Sequence, residues 1–257
     1  MLSDANQIRS SSATRLLTLA YGSAVYVLFL GTFLYAVGFV SGVGVPKTVD
    51  SGPAGPLGAA LLVNGLILGL FAVQHCIMAR AWFKRRWTKI IPAAAERSTF
   101  VLATCLILCL MYWQWRPIPG TVWNIEDPVT ATALTVLGFA GWALVLVATF
   151  LIDHFDLFGL KQVVRFARNR THLDPAFKVV SFYRYIRHPL YLGFLMAFWC
   201  TPHMTWGHLF FAVMTAGFML VAVRFEESDL IRAHGDDYRD YRTKVPMIFP
   251  RPGRSYS

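Results

Sequence analysis

The chain has 257 residues, of which 56% are hydrophobic, 15% aromatic and only 15% charged, and its mean hydropathy is positive. That is more apolar surface than a soluble domain of this length buries, so the composition is that of an integral membrane protein. The formal net charge of +10 does not indicate a nucleic-acid partner, because the basic residues stand in short blocks between apolar runs, where they orient a chain in a lipid bilayer.

The first apolar run, about residues 17–40, is too long for the core of a cleavable signal peptide and lacks a small-residue cleavage pattern, so it reads as a permanent helix. Runs at about 57–79, 98–115 and 130–152 follow, each close to the about 20 residues that span the hydrocarbon core. Four spanning helices are predicted from these. Cys76, Cys105, Cys109 and Cys200 all fall within apolar stretches and read as buried thiols. Neither they nor the seven histidines show the spacing of a metal site. Between the runs the charges alternate. Residues 80–97 carry Arg80, Lys84, Arg85, Arg86, Lys89 and Arg97 against Glu96, whereas the 41–56 loop has only Lys47 and Asp50, and 116–129 has Arg116, Glu126 and Asp127. By the positive-inside rule the N-terminus with Arg9 and Arg15, the 80–97 loop and everything after residue 152 face the cytoplasm. Short loops and a compact form suit a bacterial inner membrane.

Gln74 and His75 lie near the cytoplasmic end of the second run. An intramembrane histidine is costly in lipid and is a functional candidate, or else it bonds a neighbouring helix near Glu96 or Arg97. The last run, about 190–223, would be about 51 Å long as one helix, well beyond a core of about 30 Å. Thr201, Pro202, His203, Thr205, Trp206, Gly207 and His208 supply a break at its middle. The prediction is a C-terminal helical hairpin broken near Pro202, which enters from the cytoplasm and returns there. At its mouth stands RHPLYLG, with Arg187 and His188 before Pro189, a residue suited to the first helical position. The N–H groups that follow attract anions, Tyr191 lies near the face of His188, and Gly193 permits close approach to the backbone. Beyond the run, Glu226 and Glu227 point in different directions, so that one is available to a ligand and the other to a neighbouring cation. A hairpin brings them near Arg187 and His188. Behind them Tyr238 and Tyr241 share one side of a short helix that Pro246 stops, a segment able to fold back as a lid.

Arg187-His188-Pro189-x-Tyr191-x-Gly193 followed by Glu226-Glu227 resembles the paired motif of the membrane methyltransferases that include isoprenylcysteine carboxyl methyltransferase and phospholipid N-methyltransferases. The similarity covers about residues 180–250 and implies S-adenosylmethionine as cofactor. On that resemblance Arg187 or the helix N-terminus suits the cofactor's carboxylate, Glu226 or Glu227 its ammonium or ribose, Tyr191 its sulfonium, and His188 the adenosine end or the loop itself. Gly193, Tyr238 and Tyr241 complete the cofactor-binding set. The stretches FAVQHCIMARAWFKRRW, PAAAERS, WRPIPGTVW and DHFDLFGLKQV resemble the nurim-like group, which includes bacterial methanethiol S-methyltransferases. Together the two resemblances span most of residues 65–250 and imply methylation of methanethiol, a small thiol, to dimethyl sulfide. Such a reaction needs a thiolate, so a base or a positive field helps. His154 is the candidate proton acceptor, with Asp153 or Asp156 to orient it, and His75 is a further catalytic candidate. A lipid or isoprenylcysteine acceptor and a non-catalytic nurim-like membrane protein are the alternatives. The chain reads as one all-α domain over 1–257, with no metal site.

Overall fold

In hydrocarbon every backbone N–H and C=O needs an internal partner, so long runs of Leu, Val, Ala and Phe fold as helices. A computed structural model of the chain describes residues 11–170, 178–251 and 256; Arg9 lies outside the described residues. In chain order come α1 (Ser12–Ser41), α2 (Leu57–Met78), the short α3 (Ala81–Trp87), α4 (Glu96–Gln114), strand β1 (Thr121–Asn124), α5 (Pro128–Ile152), α6 (His154–Leu157), α7 (Leu160–Ala167), α8 (Pro189–Trp199), strand β2 (His203–Thr205), α9 (Trp206–His234) and α10 (Asp236–Lys244). Among the described residues five segments are long and apolar enough to cross a membrane: α1, α2, Ala93–Gln114 with α4, α5 and α9. Large apolar side chains such as Leu34, Leu62, Leu66, Leu106, Val136 and Phe150 stay exposed on them, as lipid-facing residues do. The four predicted spans agree with α1, α2, α4 and α5 to within a few residues at each end, and the protein is an all-α integral membrane protein crossing the bilayer several times.

The described residues pack as two units. The first takes 11–36, 61–115 and 153–170. Its core is Val25, Phe100, Val101 and Cys105, with Tyr21, Phe29, Met78, Leu102 and Phe158 packed around them. Tyr112 Oη donates to the Thr32 carbonyl at 3.1 Å, and Arg97 Nε donates to the Leu157 carbonyl at 2.7 Å, fixing the turn after α6. Gly159, at φ 86°, forms that turn; a Cβ there would lie 2.8 Å from the Ser98 nitrogen.

The second unit takes 37–60, 116–152, 178–251 and 256. Its centre is the packing of α8 on α5. A Cβ on Gly193 would lie 2.7 Å from the Gly141 oxygen, and one on Gly141 would lie 2.6 Å from the Gly193 oxygen, so the two backbones meet where both side chains are absent, as in close helix crossings within membranes. Trp142 then reaches the edges of Phe194 and Phe198 at 5.9 and 5.8 Å. Phe198 in turn meets Phe211 of α9 at 4.9 Å.

The predicted hairpin is present, with unequal arms. α9 is 29 residues long, but α8 stops after 11, about 17 Å of rise. The rest of the shorter arm is the extended segment 200–205, and the break is a structured element. His203–Thr205 pairs antiparallel with β1 in the register Thr121↔Thr205, Trp123↔Met204 and Asn124↔His203, with a bulge between Thr121 and Trp123. The Ile125 N–H donates to the Pro202 carbonyl, and the Trp123 indole N–H donates to that of Thr201. Non-helical backbone at the end of a membrane bundle is thereby satisfied by protein. The two strands are an addition to the helical prediction.

Candidate functional site

α9 outruns its own apolar stretch. From Trp206 to Val223 it is apolar; then Arg224, Glu226, Glu227 and Asp229 follow on the same uninterrupted helix. α8 begins at the same end of this unit, with Pro189 at the start of the helix after Arg187 and His188. Arg187 and His188 therefore meet Glu226 and Glu227. Glu227 Oε1 accepts from Arg187 Nε at 2.7 Å and from His188 Nε2 at 3.2 Å. Arg242 Nη1 of α10 stands 3.8 Å from the other oxygen. Glu226 faces the other way: Tyr191 Oη donates to its Oε2 at 2.9 Å, and His188 Nδ1 lies 3.7 Å from that oxygen. The rings of His188 and Tyr191 stack at 5.4 Å.

The two carboxylates differ in access. The Glu226 side chain is 46% exposed and that of Glu227 11%. Glu227 is thus the internal partner of the cations, and Glu226 the more exposed carboxylate. Arg187 is held as firmly as its partner. Its Nη1 donates to the carbonyls of Arg242 and Val245 at 2.8 and 2.6 Å, while its backbone N–H and that of His188 donate to the carbonyls of Pro246 and Met247, each at 3.0 Å. The tail after α10 is stitched onto the RHP segment along both main chain and side chain.

Tyr238 and Tyr241 lie on one side of α10, their rings 5.7 Å apart, both buried. They pack with Val245, Val179, Leu230, Ile231 and Tyr256. Burial pushes both phenols above their ordinary range, with nearby Glu227 adding to the effect, so each stays a hydroxyl. Tyr241 uses its proton to bond the Tyr183 carbonyl at 2.6 Å. The fold-back of this segment is observed. What approaches Gly193 closely is the α5 backbone at Gly141, together with Val145.

The remaining candidates lie in the first unit. His154 is 3% exposed and sits in a ring of aromatics, with Phe155 at 5.4 Å and Phe158 at 4.9 Å. Its Nε2 is 2.9 Å from the Tyr26 hydroxyl. Burial lowers its pKa from 6.5, which favours the neutral imidazole. Asp153 starts α6 at the strained φ of 148°. Its carboxylate accepts from the Asp156 N–H and pairs with Lys161. Burial pushes this carboxyl up, but the Lys161 hydrogen bond and the Asp156 N–H hold it below the usual range. Asp156 contributes its N–H to that turn, and its carbonyl accepts from Gln162 Nε2. His75 stacks on Phe71 at 5.3 Å and meets the edge of Phe100 at 4.8 Å.

Three partners were not legible beforehand. Arg242 is one of several basic residues after α9, and nothing local singles it out. Tyr26 sits within an unbroken apolar run, where nothing marks it out. His208 is 1% exposed, its Nε2 3.0 Å from the Phe198 carbonyl and its Nδ1 3.4 Å from Asp50, which also accepts from Thr205. The cost of an imidazole in lipid was the signal available for it.

Long apolar helices, with a buried Arg–His–Glu cluster in the second unit closed by a folded-back aromatic tail, define a multi-pass membrane protein with a polar cluster where α8 begins. The chain belongs to the NnrU family, described as NnrU protein, which matches residues 61–247. It is 51% identical to the methanethiol S-methyltransferase of Mycobacterium tuberculosis over 93% of this chain and 98% of that protein. It is 46% identical to the enzyme of the same name from Crocosphaera subtropica over 96% and 97% of the two chains. Nurim of Xenopus laevis is 27% identical over 63% of this chain and 60% of its own. No solved structure matches the chain.

Proposed function

We propose that the protein transfers a methyl group from S-adenosylmethionine to methanethiol, giving dimethyl sulfide and S-adenosylhomocysteine. The observation that carries this reading is the near full-length identity of 46–51% to several proteins named methanethiol S-methyltransferase. The polar cluster of the second unit supports it. S-adenosylmethionine supplies an electrophilic methyl group on a sulfonium when bound. The donor set fits such a molecule: Glu226, the more exposed carboxylate, suits its ammonium or ribose hydroxyls, and the Tyr191 ring suits a cation. Arg187 Nη2, which makes no hydrogen bond among the described residues, suits a carboxylate together with the first N–H groups of α8. Glu227 orients Arg187 and His188, and the Tyr238–Tyr241 tail excludes water. His188 holds the adenosine end, and Gly193 sets the depth of α8 against α5.

The acceptor must lose a proton to become a nucleophile. Alkyl thiols are weak acids near neutrality, and His154, neutral and buried, is our assignment for the group that takes that proton. Tyr26 fixes its ring, and Asp153 and Asp156 fix the turn that carries it. His75 is assigned a secondary, positioning role toward the thiol. Rate comes from alignment and desolvation of two small reactants. The N-terminus, the 80–97 loop and the residues after 152 are assigned to the cytoplasmic side of a bacterial inner membrane by the charge asymmetry of the loops.

The test is formation of dimethyl sulfide in the headspace above the purified protein, supplied with labelled S-adenosylmethionine and methanethiol. Product from the wild type, lost in Arg187→Ala and Glu226→Ala, is the expected result. Cofactor binding without product would move the assignment to another acceptor, and absence of binding would sink the reading altogether.

A further inference from the structure

Past the end of α2, Trp82, Arg85, Arg86 and Lys89 line one pocket of about 510 Å³. Their spacing of three, four and seven residues places them on one face of α3 and the turn that follows it. None of the three cations has a side-chain hydrogen bond or an ion pair among the described residues. The segment 80–97 offers only Glu96 against its six basic residues. Like charges within one turn repel, so this face is complementary to an anion. Its lining is also partly apolar: Trp82 is 50% exposed and meets Phe83 edge-on at 5.9 Å, and Ile90, next in the chain to Lys89, is 75% exposed. An indole beside lysine and arginine, directly after a spanning helix, is the chemistry of the headgroup layer, where aromatic rings settle and basic groups meet phosphates. A soluble phosphate would have no use for the apolar lining.

We infer that this pocket binds the phosphodiester of an anionic phospholipid in the leaflet at the α2 end, with Arg85, Arg86 and Lys89 on the phosphate and Trp82 and Ile90 against the acyl chain below it. The site is independent of the methyl-transfer reading and uses none of its residues. Bound there, the lipid would relieve the repulsion among the cations and fix the short α3.

The experiment is native mass spectrometry of the full chain released from nanodiscs of mixed phosphatidylglycerol and phosphatidylcholine. Wild type is expected to retain one phosphatidylglycerol with a preference of about tenfold or more. The variant carrying Arg85→Gln, Arg86→Gln and Lys89→Gln is expected to lose that preference while keeping its helical circular dichroism. A second variant, Arg85→Lys with Arg86→Lys, keeps the charges and is expected to keep the lipid. Equal retention by wild type and the glutamine variant would overturn the inference. So would a saturable thermal stabilisation of lipid-free wild type by inorganic phosphate that the glutamine variant lacks, because it would assign the pocket to a free anion.

Discussion

Glu226 and Glu227 are chain neighbours, yet the fold gives them opposite surroundings. Glu227 is engaged by Arg187, His188 and Arg242, so Glu227→Gln leaves a nearly buried guanidinium without its carboxylate. The expected cost is about 2–3 kcal/mol, read as a lower thermal midpoint in detergent. Glu226→Gln removes only the charge of an exposed carboxylate that Tyr191 and His188 face; its midpoint should stay near wild type while the KM for S-adenosylmethionine rises. Equal loss of stability in both variants would contradict the division of roles. His154 yields a pH prediction. Its folded pKa lies below the 6.5 of a free imidazole because of burial, so the unfolded chain takes up a proton more readily than the native one. The stability this group contributes is therefore complete above about pH 6.5 and falls as the pH drops through 6.5 toward the lower native value. His154→Asn should flatten that part of the stability curve. If His154 also takes the thiol proton, the same substitution lowers kcat far more than it changes the KM for S-adenosylmethionine.

At the scale of elements, the α5–α8 crossing depends on two missing side chains. Gly193→Ala puts a methyl within 2.7 Å of the Gly141 oxygen and 2.9 Å of the Val145 nitrogen, both backbone atoms that cannot swing aside. The helices must separate, at a cost of about 1–3 kcal/mol. Gly141→Ala should cost about as much. Because both act on one contact, the double variant should cost less than the sum, which a double-mutant cycle of thermal midpoints will show. The RHPLYLG segment was legible as a helix start because Pro189 stops a helix from running back through it, while Arg187 and His188 are too costly for lipid. That Gly193 faces α5 was not legible, since no local pattern names the partner of a glycine. The break at Pro202 was equally visible in sequence, but its strand pairing with Thr121–Asn124 joins segments about eighty residues apart, and register of that kind is set only when both loops are placed.

For the whole molecule, the second unit keeps two polar groups at the two ends of α9. One is the Arg187–Glu227 cluster, and the other is Asp50, Thr205 and His208, nineteen residues from Glu227 to His208, or about 29 Å of helix. His208→Ala should loosen the loop after α1 and the β1–β2 pair together, seen as faster hydrogen exchange at Trp123 and Met204, while Arg187 stays protected. Under the proposed orientation, single cysteines placed at Asn124 and at Arg251 should react with an impermeant thiol reagent from opposite sides of the membrane. Labelling of both from the same side would contradict it. The sequence by itself determined the membrane class, the position of the spans and the polar residues that interrupt them. Those follow from local free energies, the cost of exposing apolar surface to water and of placing charge in lipid. Only the tertiary structure decided which of two adjacent glutamates is engaged, which backbone meets Gly193, and which tyrosine bonds His154. These are contacts between segments far apart in the chain, and packing alone selects them.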